Sequence, residues 1–110
     1  MPVVYTKNNE AVLRATSSNT FIIAGNNSVS NVAIGSEIVL GGSIKQIYFS
    51  SNGSWTVARG ANTIGVYHGT GFWNLGGGGL MLTEDDTANV AVTLSGSSTG
   101  VILLDIKKRV

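Results

Sequence analysis

The stretch 44–75 constrains the fold most, because it reads as three strand-like runs separated by two turn signals. Asn52-Gly53 lies between the first two runs, and it is the strongest short-range hairpin signal because both residues tolerate positive φ. Gly60-Ala61-Asn62 marks a second turn. The stretch therefore predicts a β-meander whose strands are residues 44–50, 54–59 and 63–68.

The meander holds most of the large apolar side chains. Six of the eight aromatic residues lie in it, namely Tyr48, Phe49, Trp55, Tyr67, Phe72 and Trp73. Strand alternation places Trp55 and Val57 on one face, and it places Ile64 and Val66 on one face with His68. We expect each of these apolar pairs to pack against the rest of the domain.

The rest of the chain continues the β pattern, with strands predicted at residues 10–16, 20–24, 37–40, 80–82, 87–95 and 101–107. The last two alternate cleanly, and residues 96–100 between them predict a hairpin loop. No window shows helical periodicity. The sequence predicts an all-β, single-domain antiparallel β-sandwich, jelly-roll-like or Ig-like, with about eight to ten short strands and no significant helix.

Length and charge bound the class of protein. The 110 residues predict one domain, 1–110, in which residues 1–8 form an N-terminal arm or edge strand and residues 105–110 form a basic, solvated C-terminal tail. With no cysteine there is no disulfide or thiolate metal site. A net charge of +1 gives no electrostatic case for nucleic acid or membrane as a partner.

The surface is polar but poorly charged. Only 12% of the residues are charged, about half the usual share for a soluble domain. Interface cores are depleted of charge, so this composition suits a protein that is bound to another, although an ordinary Ser/Thr/Asn-rich β domain has it too. No apolar run reaches membrane-span or signal-peptide length, which predicts synthesis in the cytoplasm.

Each sequence motif that could form a catalytic, phosphate-binding or metal site is incomplete. His68 is the only histidine and would have to serve alone, without the partners of a nucleophilic site. The four glycines 76–79 lack the Gly-Lys-Ser/Thr of a phosphate loop. Residues 84–86 are acidic but do not have EF-hand spacing, so a solvated turn is the default over a calcium site. We expect no catalytic residues, no cofactor and no metal, and hence no enzyme.

Residues 67–75 are the part of the meander that fits a core least. Adjacent residues on a strand point to opposite faces, so at most one of Phe72 and Trp73 enters the core unless the segment curls. The other is an interface anchor or a sugar-stacking platform. The expected partner contacts are Tyr67, His68, Phe72 and Trp73, together with Val3, Val4 and Tyr5 of the N-terminal arm.

Four segments occur in the same order as in a known class of proteins. Residues 9–14, 54–60, 69–72 and 101–108 resemble small all-β structural proteins of marine tailed bacteriophages, cyanophage-type especially. The resemblance implies a virion component, either a capsid decoration (cement) protein or a tail or fibre accessory. It supplies no catalytic residues.

Two functional hypotheses follow. In the first, the chain is a decoration protein made in the host cytoplasm, bound as a homotrimer to the major capsid protein on the outer surface of a phage head. In the second, it is a carbohydrate- or receptor-binding β-sandwich of a tail or fibre, with Tyr67, Phe72 and Trp73 as its glycan-stacking surface.

Overall fold

A computed structural model of the chain describes residues 3–7, 10–74 and 87–110. Within these residues the protein is all-β, as predicted, and has no helix that could cross a membrane. The strands are β1 (Val3–Lys7), β2 (Glu10–Ala15), β3 (Asn19–Phe21), β4 (Gly41–Arg59), β5 (Asn62–Asn74), β6 (Val90–Leu94) and β7 (Gly100–Arg109). The predicted strand at 80–82, the glycines 76–79 and the acidic turn 84–86 lie outside the described residues.

The 19-residue strand β4 organises the sheet. One edge of β4 pairs with β5 along most of its length, and the other edge pairs first with β7 and then with β6. β2 and β1 continue the sheet beyond β7, and β3 continues it beyond β6. Every pairing is antiparallel, so a single curled sheet contains all seven described strands.

The prediction of a hairpin at Asn52-Gly53 is wrong, because β4 continues through this dipeptide without reversing direction. Opposite β5, the register of β4 shifts between Ser50 and Ser54, so three residues of β4 form a bulge. Gly69 of β5 lies across from the bulge with a φ of 73°, a conformation that glycine adopts readily. The second predicted turn is confirmed, since Gly60-Ala61 connects β4 to β5.

The hairpin predicted at residues 96–100 is also wrong. β6 and β7 pair with the same edge of β4 in the same direction, so the chain continues past β6 instead of reversing. The connection between β6 and β7 forms a second bulge, which faces the bulge of β4. Asn52 donates its N–H to the Thr99 carbonyl at 3.1 Å, and Thr99 donates its N–H to Asn52 Oδ1 at 2.9 Å. We call these two facing bulges the corner.

The core lies inside the curl of the sheet. The predicted inward residues Ile102, Leu104, Ile106, Val90 and Val92 are all buried, which confirms the alternation of β6 and β7. They pack in one cluster with apolar side chains of β2 and of both halves of β4: Ala11, Leu13, Ala15, Ile44, Ile47, Trp55 and Val57. Because bulges let strands pass from one sheet layer to another, this bend is compatible with a sandwich, whose jelly-roll-like or Ig-like type stays a prediction.

The segment between β3 and β4 closes one side of the core with Ile23, Val32 and Val39. The strand predicted at 37–40 is wrong, since this region makes only an isolated bridge between Gly25 and Val39. Two glycines and six Ser or Asn residues at positions 25–36 favour turns over a continuous strand.

A buried lysine holds this segment against the sheet. Lys108 lies in β7 with a fully buried side chain, and its Nζ donates to Glu37 Oε1 at 2.8 Å and to the Val32 carbonyl at 3.0 Å. The prediction of a solvated basic tail at 105–110 is therefore wrong as far as Arg109, where β7 ends. The pattern of β7 explains this, because Lys108 continues the inward series of Ile102, Leu104 and Ile106.

We predict that Lys108→Met destabilises the fold by about 3–5 kcal/mol, because it leaves the Glu37 carboxylate without its buried partner. Urea denaturation monitored by tryptophan fluorescence measures this loss. Lys107→Met is the matched control: Lys107 is exposed on the same strand, and its replacement is expected to change stability by less than about 0.5 kcal/mol. Equal effects of the two variants would contradict the assigned role of Lys108.

We predict that Gly53→Ala destabilises the fold by about 1–3 kcal/mol, the usual cost of overpacking. A Cβ atom at this position would overlap the hydroxyls of Ser95 and Ser98 and would lie 2.9 Å from Ser98 Cβ. Ser98→Gly removes most of this obstruction, so the double variant should recover part of the loss in thermal unfolding. A neutral Gly53→Ala would show that the corner is loosely packed.

Candidate functional site

β5 carries four of the predicted contact residues, and its two faces separate them. Tyr67 points into the curl and is only 4% exposed, whereas His68 is exposed. Phe72 lies on the outer face and is 58% exposed. Trp73 lies on the inner face near the edge of the sheet and is 49% exposed. Both members of the Phe72-Trp73 pair are thus accessible, on opposite sides of the sheet.

In the middle of β5, the sequence predicted the wrong face of the strand as the one that packs inward. Val66, expected to pack inward, is 51% exposed, and Tyr67 takes the inward position opposite Trp55. The Tyr67 ring lies over Gly65, where an added Cβ would come 2.8 Å from the phenol oxygen. Because Gly65 has no side chain, the Tyr67 ring has room on the inner face. This explains why Tyr67, and not Val66, points inward.

Three aromatic rings form a cluster on the inner face. The rings of Phe49 and Tyr67 lie 5.0 Å apart, and Tyr67 meets Trp73 edge-on at 5.3 Å. The Phe49 ring covers Gly71, its partner across the strands. Burial raises the pKa of the Tyr67 phenol. A ring held in this way offers a partner almost no surface, so Tyr67 stabilises the fold and the predicted stacking set of Tyr67, Phe72 and Trp73 is not one platform.

A different apolar surface lies on the outer face. Leu103 of β7, Tyr48 of β4 and Phe72 of β5 stand side by side in register, and Val12 of β2 lies diagonal to Leu103. We call these four residues the outer strip. Tyr48 is 42% exposed, and it was not among the partner contacts expected from the sequence. Strand alternation was the available signal, since the residue between two inward ones must face outward.

The outer strip borders a shallow groove of about 150 Å³. Besides the strip residues, Gln46 and Asp105 line it, and they lie directly opposite each other on β4 and β7. On the other side of the strip, the hydroxyls of Ser50 and Thr70 are hydrogen-bonded to each other at 3.1 Å. The groove therefore has an aromatic and aliphatic floor, and Gln46 and Asp105 supply its polar groups.

The carboxyl group of Asp105 belongs to a small charged cluster at one end of the groove. Lys45 Nζ forms an ion pair with Glu10 Oε2 at 3.2 Å, and Asp105 lies beside Glu10. Burial raises the pKa of the Asp105 carboxyl, and the negative charge of Glu10 raises it further, while Lys45 opposes the shift. Asp105 Oδ1 is buried and has no hydrogen-bond partner among the described residues.

Three strands lie at edges of the described sheet: β1, β3 and β5 each pair with one neighbour. β1 contains Val3, Val4 and Tyr5, so the backbone of these predicted contact residues is paired with β2 as an edge strand. β5 is the longest of the three, with 13 residues, and none of these is Asp, Glu, Lys, Arg or Pro.

Comparison with protein-family models, curated proteins and solved structures finds no match. Within the described ranges 3–7, 10–74 and 87–110, no three His, Asp or Glu side chains come together as a metal site. Two surfaces of the described residues are the functional candidates, namely the edge of β5 and the outer strip.

We predict that Asp105→Asn stabilises the protein at neutral pH. The folded state holds the Asp105 proton more tightly than the unfolded chain, so this contribution to stability is complete below the ordinary pKa of 3.8 and is lost as the pH rises through the raised pKa. Thermal unfolding between pH 3 and pH 8 should show the advantage of the variant at pH 8 and a smaller difference at pH 3.

Glu10→Gln serves as the companion variant, because it removes the negative charge beside Asp105. NMR titration of the Asp105 carboxyl in this variant should give a pKa closer to the ordinary value. An unchanged pKa, or an Asp105→Asn protein that is less stable at pH 8, would contradict the assigned coupling.

Proposed function

We propose that this chain is a non-enzymatic virion structural protein, a capsid decoration (cement) protein that binds the major capsid protein on the outside of a phage head. The observation that carries the proposal is β5, a long, uncharged strand at an edge of the sheet that the described residues form, with exposed aromatic residues near its end. The resemblance of four segments to structural proteins of marine tailed phages supports the same class.

The edge of β5 has the properties of a pairing surface. Edge strands that must stay unpaired are usually short or carry charged residues or proline, and β5 has none of these features over 13 residues. An extended segment of a partner can add to such an edge through main-chain hydrogen bonds. β5 therefore offers a capsid subunit a place to extend the sheet.

Phe72 and Trp73 add side-chain contacts to this edge. They lie next to each other near the end of β5, on opposite faces of the sheet, and both are about half exposed or more. A strand paired beside them brings side chains against both rings at once. Buried aromatic anchors are the residues that most often dominate interface energies.

Several copies of the protein bound together can make such a contact strong. A 13-residue edge with two anchors is a modest interface, but a homotrimer on the capsid engages several copies together, and linked contacts raise overall affinity. Charge contributes little here, since the net charge is only +1. The proposed location is the capsid surface, and the proposed partners are the major capsid protein and other copies of this chain.

We predict that Val66→Lys and Phe72→Lys each lower occupancy on phage heads at least tenfold, because a charge beside the edge opposes strand pairing. Heads assembled without this protein are incubated with purified variants, and bound protein is measured after sedimentation. Val66 and Phe72 are 51% and 58% exposed, so the fold is expected to tolerate both changes.

Ile38→Lys is the matched control, because Ile38 is 60% exposed and lies outside the strands, in the segment before β4. It should bind as the unmodified protein does. Binding that survives both β5 variants, or that falls equally with Ile38→Lys, would overturn the proposed docking edge. A monomeric mass at high concentration would count against the trimer.

A further inference from the structure

The outer strip combines features of a small-ligand site that the docking edge does not explain. Its two aromatic side chains, Tyr48 and Phe72, are directly opposite each other on neighbouring strands, and 42% and 58% of their surface is exposed. Strand pairing fixes the spacing of their Cβ atoms, so the two side chains lie side by side on the outer face before any ligand binds, and we call this pair the platform.

The polar groups beside this platform are placed to orient a ligand. Gln46 lies one outward position along β4 from Tyr48, opposite Asp105, and both side chains line the groove. An amide supplies two donors and an acceptor, and a carboxyl group supplies further acceptors. Sites for small molecules typically combine an apolar floor with a few such groups.

The charge around the groove disfavours an anionic ligand. Glu10 and Lys45, at the Asp105 end, form an ion pair with each other, which compensates both charges. Among the described residues, the lining otherwise consists of apolar side chains, the Tyr48 phenol, one amide and the Asp105 carboxyl group, and it holds no cationic side chain. A purely apolar ligand would cover Gln46 and Asp105 without offering hydrogen bonds, which is costly for polar groups.

The size of the groove favours a ligand that places a single ring in it, and disfavours a partner protein with a broad contact surface. Its volume of about 150 Å³ is below the range of pockets that enclose drug-sized molecules. A six-membered sugar ring has an apolar C–H face that can stack on an aromatic ring, and its edge carries hydroxyl groups that donate and accept hydrogen bonds. This is the chemistry that the platform and its polar sides complement.

We propose that the outer strip binds a neutral saccharide, with one sugar ring stacked on Tyr48 and Phe72 and its hydroxyl groups bonded to Gln46 and Asp105. The site uses the outer face of the sheet, so Trp73 and Tyr67 take no part in it. Saccharide binding is a second activity, independent of attachment to a capsid.

The test is an NMR titration of the protein with cellohexaose, maltohexaose and mannohexaose. At least one of these neutral sugars should shift the resonances of Tyr48, Phe72 and Gln46 in a saturable way. Tyr48→Ala and Phe72→Ala should each weaken binding about tenfold, and Gln46→Ala should weaken it severalfold. Failure of all three sugars to shift these resonances at millimolar concentration overturns the proposal.

Trp73→Ala is the matched control, because it removes an aromatic ring of similar exposure from the opposite face of the same strand. It should leave sugar affinity unchanged, and equal loss with Trp73→Ala would overturn the assignment to the outer face. Sedimentation of the sugar-free protein tests whether a second copy covers the strip instead. A dimer that Tyr48→Ala dissociates would also overturn the proposal.

Gln46→Ala separates this site from capsid docking. The variant should bind the sugar severalfold more weakly and keep full occupancy on phage heads, whereas Val66→Lys should keep sugar affinity and lose occupancy. The two assays with these two variants therefore show separately whether the saccharide site or the capsid docking edge is wrong.

Discussion

The fold depends on the corner, where the bulge of β4 meets the connection between β6 and β7. Ser54 donates its N–H to Ser95 Oγ at 2.9 Å, and Ser95 donates its N–H to the Ser54 carbonyl at 3.0 Å. These bonds satisfy backbone groups that a regular ladder leaves unpaired at a bulge. β4 can therefore bend and change its neighbour from β7 to β6 without ending.

The bend creates both the enclosed and the open surfaces. It brings the two halves of β4 around one core, so Trp55 from one half and Ile47 from the other are completely buried in the same cluster. The outer strip lies on the half of β4 that pairs with β7, on the face turned away from that core. A straight β4 would leave its inward side chains without partners.

Sequence patterns predicted the residues inside each strand better than the connections between strands. The alternation of β7 correctly placed Ile102, Leu104 and Ile106 inside, because burial on one face of a strand requires a period of two. Asn52-Gly53 was predicted as a hairpin turn, and it lies instead in the bulge of β4. Whether such a place becomes a hairpin or a bulge is decided by its non-local partner, here Thr99, which no local pattern contains.

The same limit explains the candidate site. Phe72 and Trp73 stood out because they are adjacent aromatic residues, and both are exposed. Tyr48 did not stand out, because its place beside Phe72 follows from the register of β4 with β5, which the bulge sets. Gln46 and Asp105 come together through a second pairing, that of β4 with β7. A surface assembled from four strands cannot be read from any one of them.

The two proposed surfaces meet at Phe72, which stands at the end of the outer strip and beside the edge of β5. Neighbouring strands lie about 4.8 Å apart, so a capsid strand paired with β5 would place its own side chains next to this ring. The partner would then extend the outer face by one strand beyond Phe72. Because the groove lies between Phe72 and Val12, such an extension lies beyond Phe72 and leaves Gln46 and Asp105 uncovered. Capsid attachment and saccharide binding are therefore sterically compatible on one molecule.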